Sequence, residues 1–172
     1  HYGLYEVAEY WQKVLDINSW QQSRFVELIV KTMFGTISTK TIAILGFSFK
    51  ANTNDTRESP AIYICKKLME EGAFLKIYDP KVKYTQIKKD LSSNDQKIGE
   101  GKWINSNSIT ETFCNADAAV FLTEWEEFES LNWQEIYKKM RQPAWVFDTR
   151  SIVNMESVKK SGINIWQVGY GN

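Results

Sequence analysis

The stretch that decides the fold runs from Thr41 to Lys50, reads TIAILGFSFK, and continues for ten more residues as ANTNDTRESP. An apolar run rich in β-branched residues that ends at Gly46 predicts a buried strand followed by a tight turn. The polar segment after it carries Lys50 and Arg57, and Ser59-Pro60 is typical of a helix N-cap with proline at the first helical position. A strand, a charged loop and a helix start in this order predict one edge of a phosphate or nucleotide crevice in an α/β sheet.

Apolar spacing further along the chain extends this unit into a repeating strand–helix pattern. We predict strands at 41–47, 74–78, 118–122, 145–147 and 163–168, and helices at 60–71, 108–114, 133–140 and 155–160. The polar segment 81–107 is predicted to be irregular, with a short helix at most around 88–90 and an exposed loop over 92–101. The pattern predicts an α/β fold, a doubly wound and mostly parallel Rossmann-like sheet preceded by a long N-terminal helix.

The N-terminal segment has apolar residues at helical spacings of three and four from residue 4 to about residue 34. Asn18-Ser19 either interrupts this pattern or lies within one long helix. A helix of about 30 residues exceeds the usual globular length, which favours a bridge between domains or a subunit interface over a helix folded onto its own sheet. We therefore divide the chain into a helix segment, 1–36, and a sheet domain, 37–172.

Composition restricts the classes of function. The 172 residues include 21 basic and 21 acidic side chains, so the formal net charge is zero and any anion recognition must be local. His1 is the single histidine, which argues against histidine-based catalysis or zinc binding within this chain. Cys65 and Cys114 lack metal or redox spacing and are expected to be plain thiols in a reducing, cytoplasmic compartment. Because the chain begins without methionine inside a helical pattern, we expect it to be part of a longer protein.

Cationic and acidic residues follow the predicted strand ends, where ligands bind in doubly wound sheets. These residues are Lys50, Asp79, Thr123-Glu124 and Asp148-Thr149-Arg150. With Arg57, the cations suit a bound diphosphate, although each is also compatible with a solvated loop cation. The loop after Gly46 lacks the further glycines of a dinucleotide fingerprint, so Asp79 is more easily read as a turn residue than as a ribose ligand. Glu124, Glu126 and Glu127 are predicted to form the solvated first turn of a helix.

Several of these segments together resemble one family. The segments are ILGFSFK at 44–50, TNDTRES at 53–59, YDPKV at 78–82, TEWEEF at 123–128 and FDTR at 147–150. They resemble the C-terminal domain of UDP-glucose 6-dehydrogenases, and residues 10–25 resemble the second half of the central dimerisation helix of that family. The wider nucleotide-sugar dehydrogenases more often have Asp-Leu-Arg where this chain has Asp55-Thr56-Arg57, which favours the UDP-glucose branch.

The resemblance implies an NAD-dependent enzyme that oxidises UDP-glucose to UDP-glucuronate through a thioester on a cysteine. In that family NAD is held mainly by an N-terminal domain, and this sequence has neither that domain nor a Gly-Gly-x-Cys-Phe segment, so we expect no catalytic residue here and no turnover by this chain alone. By position, Phe49, Lys50 and Arg150 would bind the UDP-sugar, and Arg57 would reach the cofactor. The implied partners are UDP or UDP-glucose and a second subunit that pairs through the N-terminal helix, without nucleic acid, membrane or metal.

Three alternatives remain open from the sequence. One is the equivalent domain of another nucleotide-sugar dehydrogenase, acting on GDP-mannose or UDP-N-acetylmannosamine. Another is a non-catalytic scaffold domain that dimerises through residues 4–34. The third is a hydride-transferring Rossmann enzyme in its own right, which measurable NAD affinity of this chain would support.

Overall fold

The computed structural model of this chain describes residues 3–92 and 101–170. The chain divides into two compact units, His1–Thr36 and Ile37–Asn172. Each unit is described by itself below.

The first unit is one long α-helix, α1, over Tyr5–Thr32. It continues through Asn18-Ser19 without a break, so the interrupted alternative is wrong. Buried side chains lie in its last third, at Phe25, Val26 and Ile29. Large apolar side chains are exposed at the N-cap residue and along the remainder of the helix, at Leu4, Tyr5, Val7, Tyr10, Trp11, Leu15, Ile17 and Trp20. We call these eight residues the α1 apolar surface.

The second unit is a parallel sheet with helical connections. Its strands are β1 (Thr41–Leu45), β2 (Phe74–Tyr78), β3 (Lys102–Asn105), β4 (Ala118–Phe121), β5 (Trp145–Asp148) and β6 (Asn164–Gln167). Its α-helices are α2 (Pro60–Glu70), α3 (Tyr84–Leu91), α4 (Ile109–Phe113), α5 (Trp133–Lys139) and α6 (Met155–Ser161), and a 3-10 turn covers Glu126–Phe128.

The strand order is β3-β2-β1-β4-β5-β6, and all five pairings are parallel. The predicted α/β class with a doubly wound sheet and a preceding long helix is confirmed. In this order the chain moves outward from β1 in one direction and then returns to continue from β4 in the other. The position between β1 and β4 is the topological switch point, where ligands bind in such sheets at the carboxyl ends of the strands. We call that side of the sheet the carboxyl edge.

The sequence prediction was wrong for the segment between β2 and α4. Residues 84–91 form a full helix, and 102–105 form the edge strand β3, which pairs with β2. The exposed loop predicted over 92–101 lies largely outside the described residues. The strand was missed because its burial alternates between exposed and half-buried positions over only four residues, a pattern that resembles a polar loop.

Aromatic packing covers one face of the sheet near the switch point. Phe113, Phe121, Phe128 and Trp133 belong to one buried cluster. Their rings meet at centroid distances between 5.6 and 6.5 Å, mostly edge to face, a favourable arrangement for aromatic pairs. This packing fixes the end of β4 and, with it, the loop that follows.

Candidate functional site

The loop after β1, residues 46–58, is anchored by one carboxylate from the end of β2. The Oδ2 atom of Asp79 accepts hydrogen bonds from the backbone N–H groups of Phe47 at 2.7 Å and Ser48 at 3.0 Å, and from Trp125 Nε1 at 3.2 Å. Its Oδ1 atom accepts from the N–H groups of Lys81 and Val82, both at 2.9 Å. Asp79 is therefore a structural anchor that joins three segments of the carboxyl edge.

Gly46 permits the close approach of this loop to the end of β4. Its φ is +90°, and a Cβ at this position would lie 2.5 Å from the Cβ of Thr123. Thr123 Oγ1 in turn donates to the Ser48 carbonyl at 2.7 Å, and Ser59 Oγ donates to the Phe47 carbonyl at 2.8 Å. Ser59 also caps α2 by accepting from Ala61 N, as the sequence predicted. The first residues of the loop are thus fixed from both sides.

Phe49 and Lys50 follow directly on this fixed backbone. The N–H of Phe49 donates to the Asp55 carbonyl at 2.8 Å, while the residue as a whole is 48% exposed. Lys50 is exposed. Within residues 3–92 and 101–170, no hydrogen bond or ion pair involves its ammonium group. The loop therefore presents an exposed aromatic ring and an unpaired cation next to the switch point.

Arg150 follows β5 and is positioned by backbone contacts. Its N–H donates to Asp148 Oδ1 at 2.9 Å, and its Nε donates to the Leu122 carbonyl at 2.8 Å. Asp148 is fully buried, and its Oδ2 accepts from the N–H groups of Ile152 and Val153 and from Gln167 Nε2. Because β1 and β5 are parallel members of one sheet, Arg150 and Lys50 both follow strands that end at the carboxyl edge.

Glu124 departs from the sequence prediction. The 3-10 turn contains Glu126 and Glu127, but Glu124 precedes it and contacts two other loops. Its Oε2 atom lies 3.5 Å from Arg150 Nε, and its Oε1 atom accepts from the Ala51 N–H at 3.5 Å. The strand-end position of Thr123-Glu124 was the one signal in the sequence that could have separated Glu124 from its acidic neighbours.

Arg57 is engaged by a residue of its own loop. Its Nη2 lies 2.6 Å from Asp55 Oδ2, and its Nε donates to both carboxylate oxygens at 3.0 and 3.1 Å. The hydrogen bonds from Arg57 hold the pKa of Asp55 at about 2, below its ordinary value of 3.8. The Arg57 side chain is nevertheless 86% exposed. The guanidinium is thus presented to solvent at a defined orientation.

The carboxyl edge of this unit does not fit the diphosphate of a dinucleotide such as NAD at β1. A dinucleotide fold offers free backbone N–H groups and a free ribose carboxylate after its first strands, but here the amides of Phe47 and Ser48 are bonded to Asp79. Asp79 itself accepts five hydrogen bonds. An anionic ligand at this edge must therefore be held chiefly by side chains.

The described residues give little support for a cysteine nucleophile or a metal site. Burial raises the pKa of the Cys65 thiol, so this cysteine is not a nucleophile. Among residues 3–92 and 101–170, no group of three or more His, Cys, Asp or Glu side chains is arranged to hold a metal ion. Over the same residues, none of the helices has the length and apolarity needed to cross a bilayer.

A six-stranded parallel sheet in this order, with cations after β1 and β5 at the carboxyl edge, defines a nucleotide-binding α/β domain of the doubly wound class. Comparison with known families is more specific. Residues 43–155 match the model described as "UDP-glucose/GDP-mannose dehydrogenase family, UDP binding domain". The chain belongs to this family.

Individual relatives agree with this assignment. The chain is 42% identical over 179 residues to UDP-glucose 6-dehydrogenase 2 of Arabidopsis thaliana and 43% identical over 172 residues to UDP-glucose 6-dehydrogenase of Drosophila melanogaster. Each alignment covers 97% of this chain but only 37% and 36% of the relative, so the chain spans little more than a third of their length. Among solved structures, an NDP-N-acetyl-D-galactosaminuronic acid dehydrogenase from Methanosarcina mazei Go1 superimposes with a TM-score of 0.70 at 20% identity, over 91% of this chain and 30% of that protein. This likeness shows a shared fold.

Proposed function

We propose that this chain is the UDP-binding, C-terminal part of an NAD-dependent UDP-glucose 6-dehydrogenase, which oxidises UDP-glucose to UDP-glucuronate. The proposal is supported by the family match and by identities above 40% to enzymes named for that reaction. The structural observation that supports it most directly is how the Arg150 guanidinium is held. Its Nε is bonded to the Leu122 carbonyl at the carboxyl edge, while its two Nη groups make no hydrogen bond within residues 3–92 and 101–170.

In this proposal Phe49, Lys50 and Arg150 bind the UDP-sugar. Arg150 donates two hydrogen bonds from its Nη groups to the diphosphate, and Lys50 adds a second positive charge. Phe49, a half-exposed residue, supplies apolar surface. Because the net charge of the chain is zero, these local charges carry the attraction for the ligand.

NAD is the proposed cofactor and, when bound, accepts the hydride removed from the sugar. The β1 loop does not fit its diphosphate, so residues outside the described unit are proposed to hold most of it. Arg57 is the contribution proposed for this chain, from an exposed position fixed by Asp55. We propose no catalytic residue among these 172, and we expect the chain alone to bind UDP without oxidising UDP-glucose.

Isothermal titration calorimetry of the 172-residue chain with UDP, UDP-glucose and GDP tests the binding role. We expect heat from UDP and UDP-glucose and less from GDP. Arg150→Ala should weaken UDP binding by at least about 10-fold, because each of the two charge-assisted hydrogen bonds that it removes contributes about 1.5–3 kcal/mol.

The matched control is Arg141→Ala. Arg141 pairs with Asp117, which precedes β4 and therefore lies at the opposite edge of the sheet. UDP affinity should not change in this variant. A folded wild-type chain that gives no heat with UDP or UDP-glucose, or equal losses in the two arginine variants, would remove the binding role.

We also propose that the chain forms a homodimer or larger homo-oligomer through α1. The proposal is supported by the α1 apolar surface, whose eight large side chains are exposed on this helix and its N-cap residue. Replacing Trp11 and Leu15 with Glu should convert the assembly to a monomer in light scattering after gel filtration, without loss of sheet signal in circular dichroism. A wild-type chain that is monomeric at high concentration would exclude this interface.

A cytoplasmic location is part of the same proposal. It is supported by two free cysteines, Cys65 and Cys114, because free thiols are typical of reducing compartments. Fractionation of cells that express the parent protein tests it.

A further inference from the structure

We propose that Glu124 is a positioning residue for the diphosphate site, because its carboxylate links Arg150 to the loop that carries Lys50. The inference rests on the proposed UDP-binding function and names a residue outside the set assigned above. Its starting point is a carboxylate that lies beside the cations expected to bind an anion. By charge alone such a carboxylate opposes the ligand, so its presence there needs a physical reason.

The two oxygens of Glu124 contact different loops. Oε2 lies 3.5 Å from Arg150 Nε, after β5, and Oε1 accepts from the Ala51 N–H, after β1, also at 3.5 Å. Ala51 is the residue next to Lys50. One side chain therefore spans the switch point and contacts both loops that carry the proposed diphosphate ligands.

The backbone of Glu124 is fixed by its neighbours. Thr123 Oγ1 donates to the Ser48 carbonyl at 2.7 Å, and the buried Trp125 donates from Nε1 to Asp79 at 3.2 Å. Because the backbone of Glu124 is already fixed, only its side-chain torsions remain to be ordered when the carboxylate orients the flexible arginine.

The atom of Arg150 that Glu124 contacts is the one not needed for the ligand. Nε already donates to the Leu122 carbonyl at 2.8 Å, and Glu124 reinforces that orientation from the same side of the guanidinium. The Nη groups are left to bind oxygens of a diphosphate in a fork. Both contacts of Glu124 are long for a hydrogen bond, and ligand-free sites commonly have long contacts that tighten when the ligand arrives.

Positioning and simple charge repulsion predict opposite signs for Glu124→Gln. This variant keeps an oxygen for the Ala51 N–H but removes the negative charge beside Arg150. Repulsion alone predicts tighter UDP binding, since one negative charge near the diphosphate is gone. Positioning predicts binding weaker by about fivefold, within the usual range of coupling between contacting residues.

The test is a double-mutant cycle measured by calorimetry with UDP on the 172-residue chain. We expect Glu124→Gln to weaken binding in the wild-type background and to leave it unchanged or slightly tighter when Arg150 is already Ala, because nothing then remains to be positioned. Glu126→Gln removes the same charge from an exposed side chain two residues away and should not weaken binding in either background.

A second readout does not need UDP. The NMR signal of the Arg150 Nε–H should shift and exchange faster with water in the ligand-free Glu124→Gln variant, and it should stay unchanged in Glu126→Gln. Tighter or unchanged UDP binding in Glu124→Gln, or equal weakening with and without Arg150, would overturn the inference while the UDP site itself stands. If the wild-type chain does not bind UDP, the proposed function is wrong. If the Arg150 Nε–H signal is the same in Glu124→Gln as in the wild type, the contact between Glu124 and Arg150 is wrong, whatever the result with UDP.

Discussion

Asp79 offers a test of how the carboxyl edge is held together. Asp79→Asn keeps the size of the side chain but replaces one acceptor oxygen with an NH₂ group, which only donates. In one orientation the amide faces the three donors that now bond to Oδ2, Phe47 N, Ser48 N and Trp125 Nε1. In the other it faces the two N–H groups that bond to Oδ1. Two or three hydrogen bonds are therefore lost in either case.

The magnitude follows from the number of donors and their exposure. A hydrogen bond to a charged acceptor contributes about 1.5–3 kcal/mol, and an unsatisfied buried donor costs a similar amount. Asp79 is half-buried, so water can compensate part of the loss. We expect the free energy of unfolding to fall by about 2–4 kcal/mol.

Urea unfolding, followed by circular dichroism and tryptophan fluorescence, measures this loss as a lower midpoint at an unchanged slope. The control is Asp90→Asn, because Asp90 accepts one hydrogen bond, from Gln86, and its Oδ2 has no partner in the described part of the chain. We expect the control to lose less than about 1 kcal/mol. If Asp79→Asn unfolds at the same urea concentration as the control, Asp79 is not the anchor described above.

Three further outcomes are expected. Gly46→Ala should lower the free energy of unfolding by about 2–4 kcal/mol, because it combines a positive φ with a steric overlap. Gly35→Ala has a positive φ but no atom within 4 Å of the added Cβ, so it should lower this free energy by only about 1 kcal/mol. Thermal unfolding of both variants measures the difference, and equal losses would contradict the steric overlap at Gly46. Arg57→Ala should return the pKa of Asp55 from about 2 toward 3.8, as measured by NMR titration of the carboxyl carbon. The stability that this pair gives the wild-type chain should be present above pH 3.8 and lost as the pH falls through 2. An unchanged pKa in the variant would contradict the ion pair. Cys65 should resist alkylation by iodoacetamide in the folded chain and react in urea, since burial raises its pKa. Mass spectrometry of the peptide that contains Cys65 measures the reaction, and alkylation of the folded chain would contradict the prediction.

The sequence predicted the parts of the fold that depend on local patterns. β1 and β4 are continuous apolar runs that are buried throughout, as strands covered on both faces must be. β2 is a mostly apolar run whose burial alternates along the strand. The cap at Ser59 and the helix stop near Gly72, with φ +83°, follow from the chemistry of single residues. These features were predictable because each is decided within a few positions of the chain.

The missed features depend on contacts between distant positions. β3 is a strand because its backbone pairs with β2, and its side-chain pattern alone does not show this. Asp79 is an anchor because Trp125, 46 residues later, donates to it. Glu124 was assigned to a helical turn because nothing within its own segment indicates Arg150 as a neighbour. Residue type and spacing located the carboxyl edge, but which of its side chains are engaged could be read only from the folded structure.

The hydrogen bonds from the Phe47 and Ser48 amides to Asp79 have a kinetic consequence. A loop that is already held by these two N–H groups does not have to become ordered when a ligand arrives, and the Leu122 carbonyl likewise holds Arg150 in advance. Encounter with an anion then needs no slow rearrangement of the main chain, so the association rate should be governed by diffusion and by the field of the exposed cations. Such association rates reach about 10⁶–10⁸ M⁻¹s⁻¹ and fall as ionic strength rises. Differences in affinity between related ligands should then appear mainly in their dissociation rates.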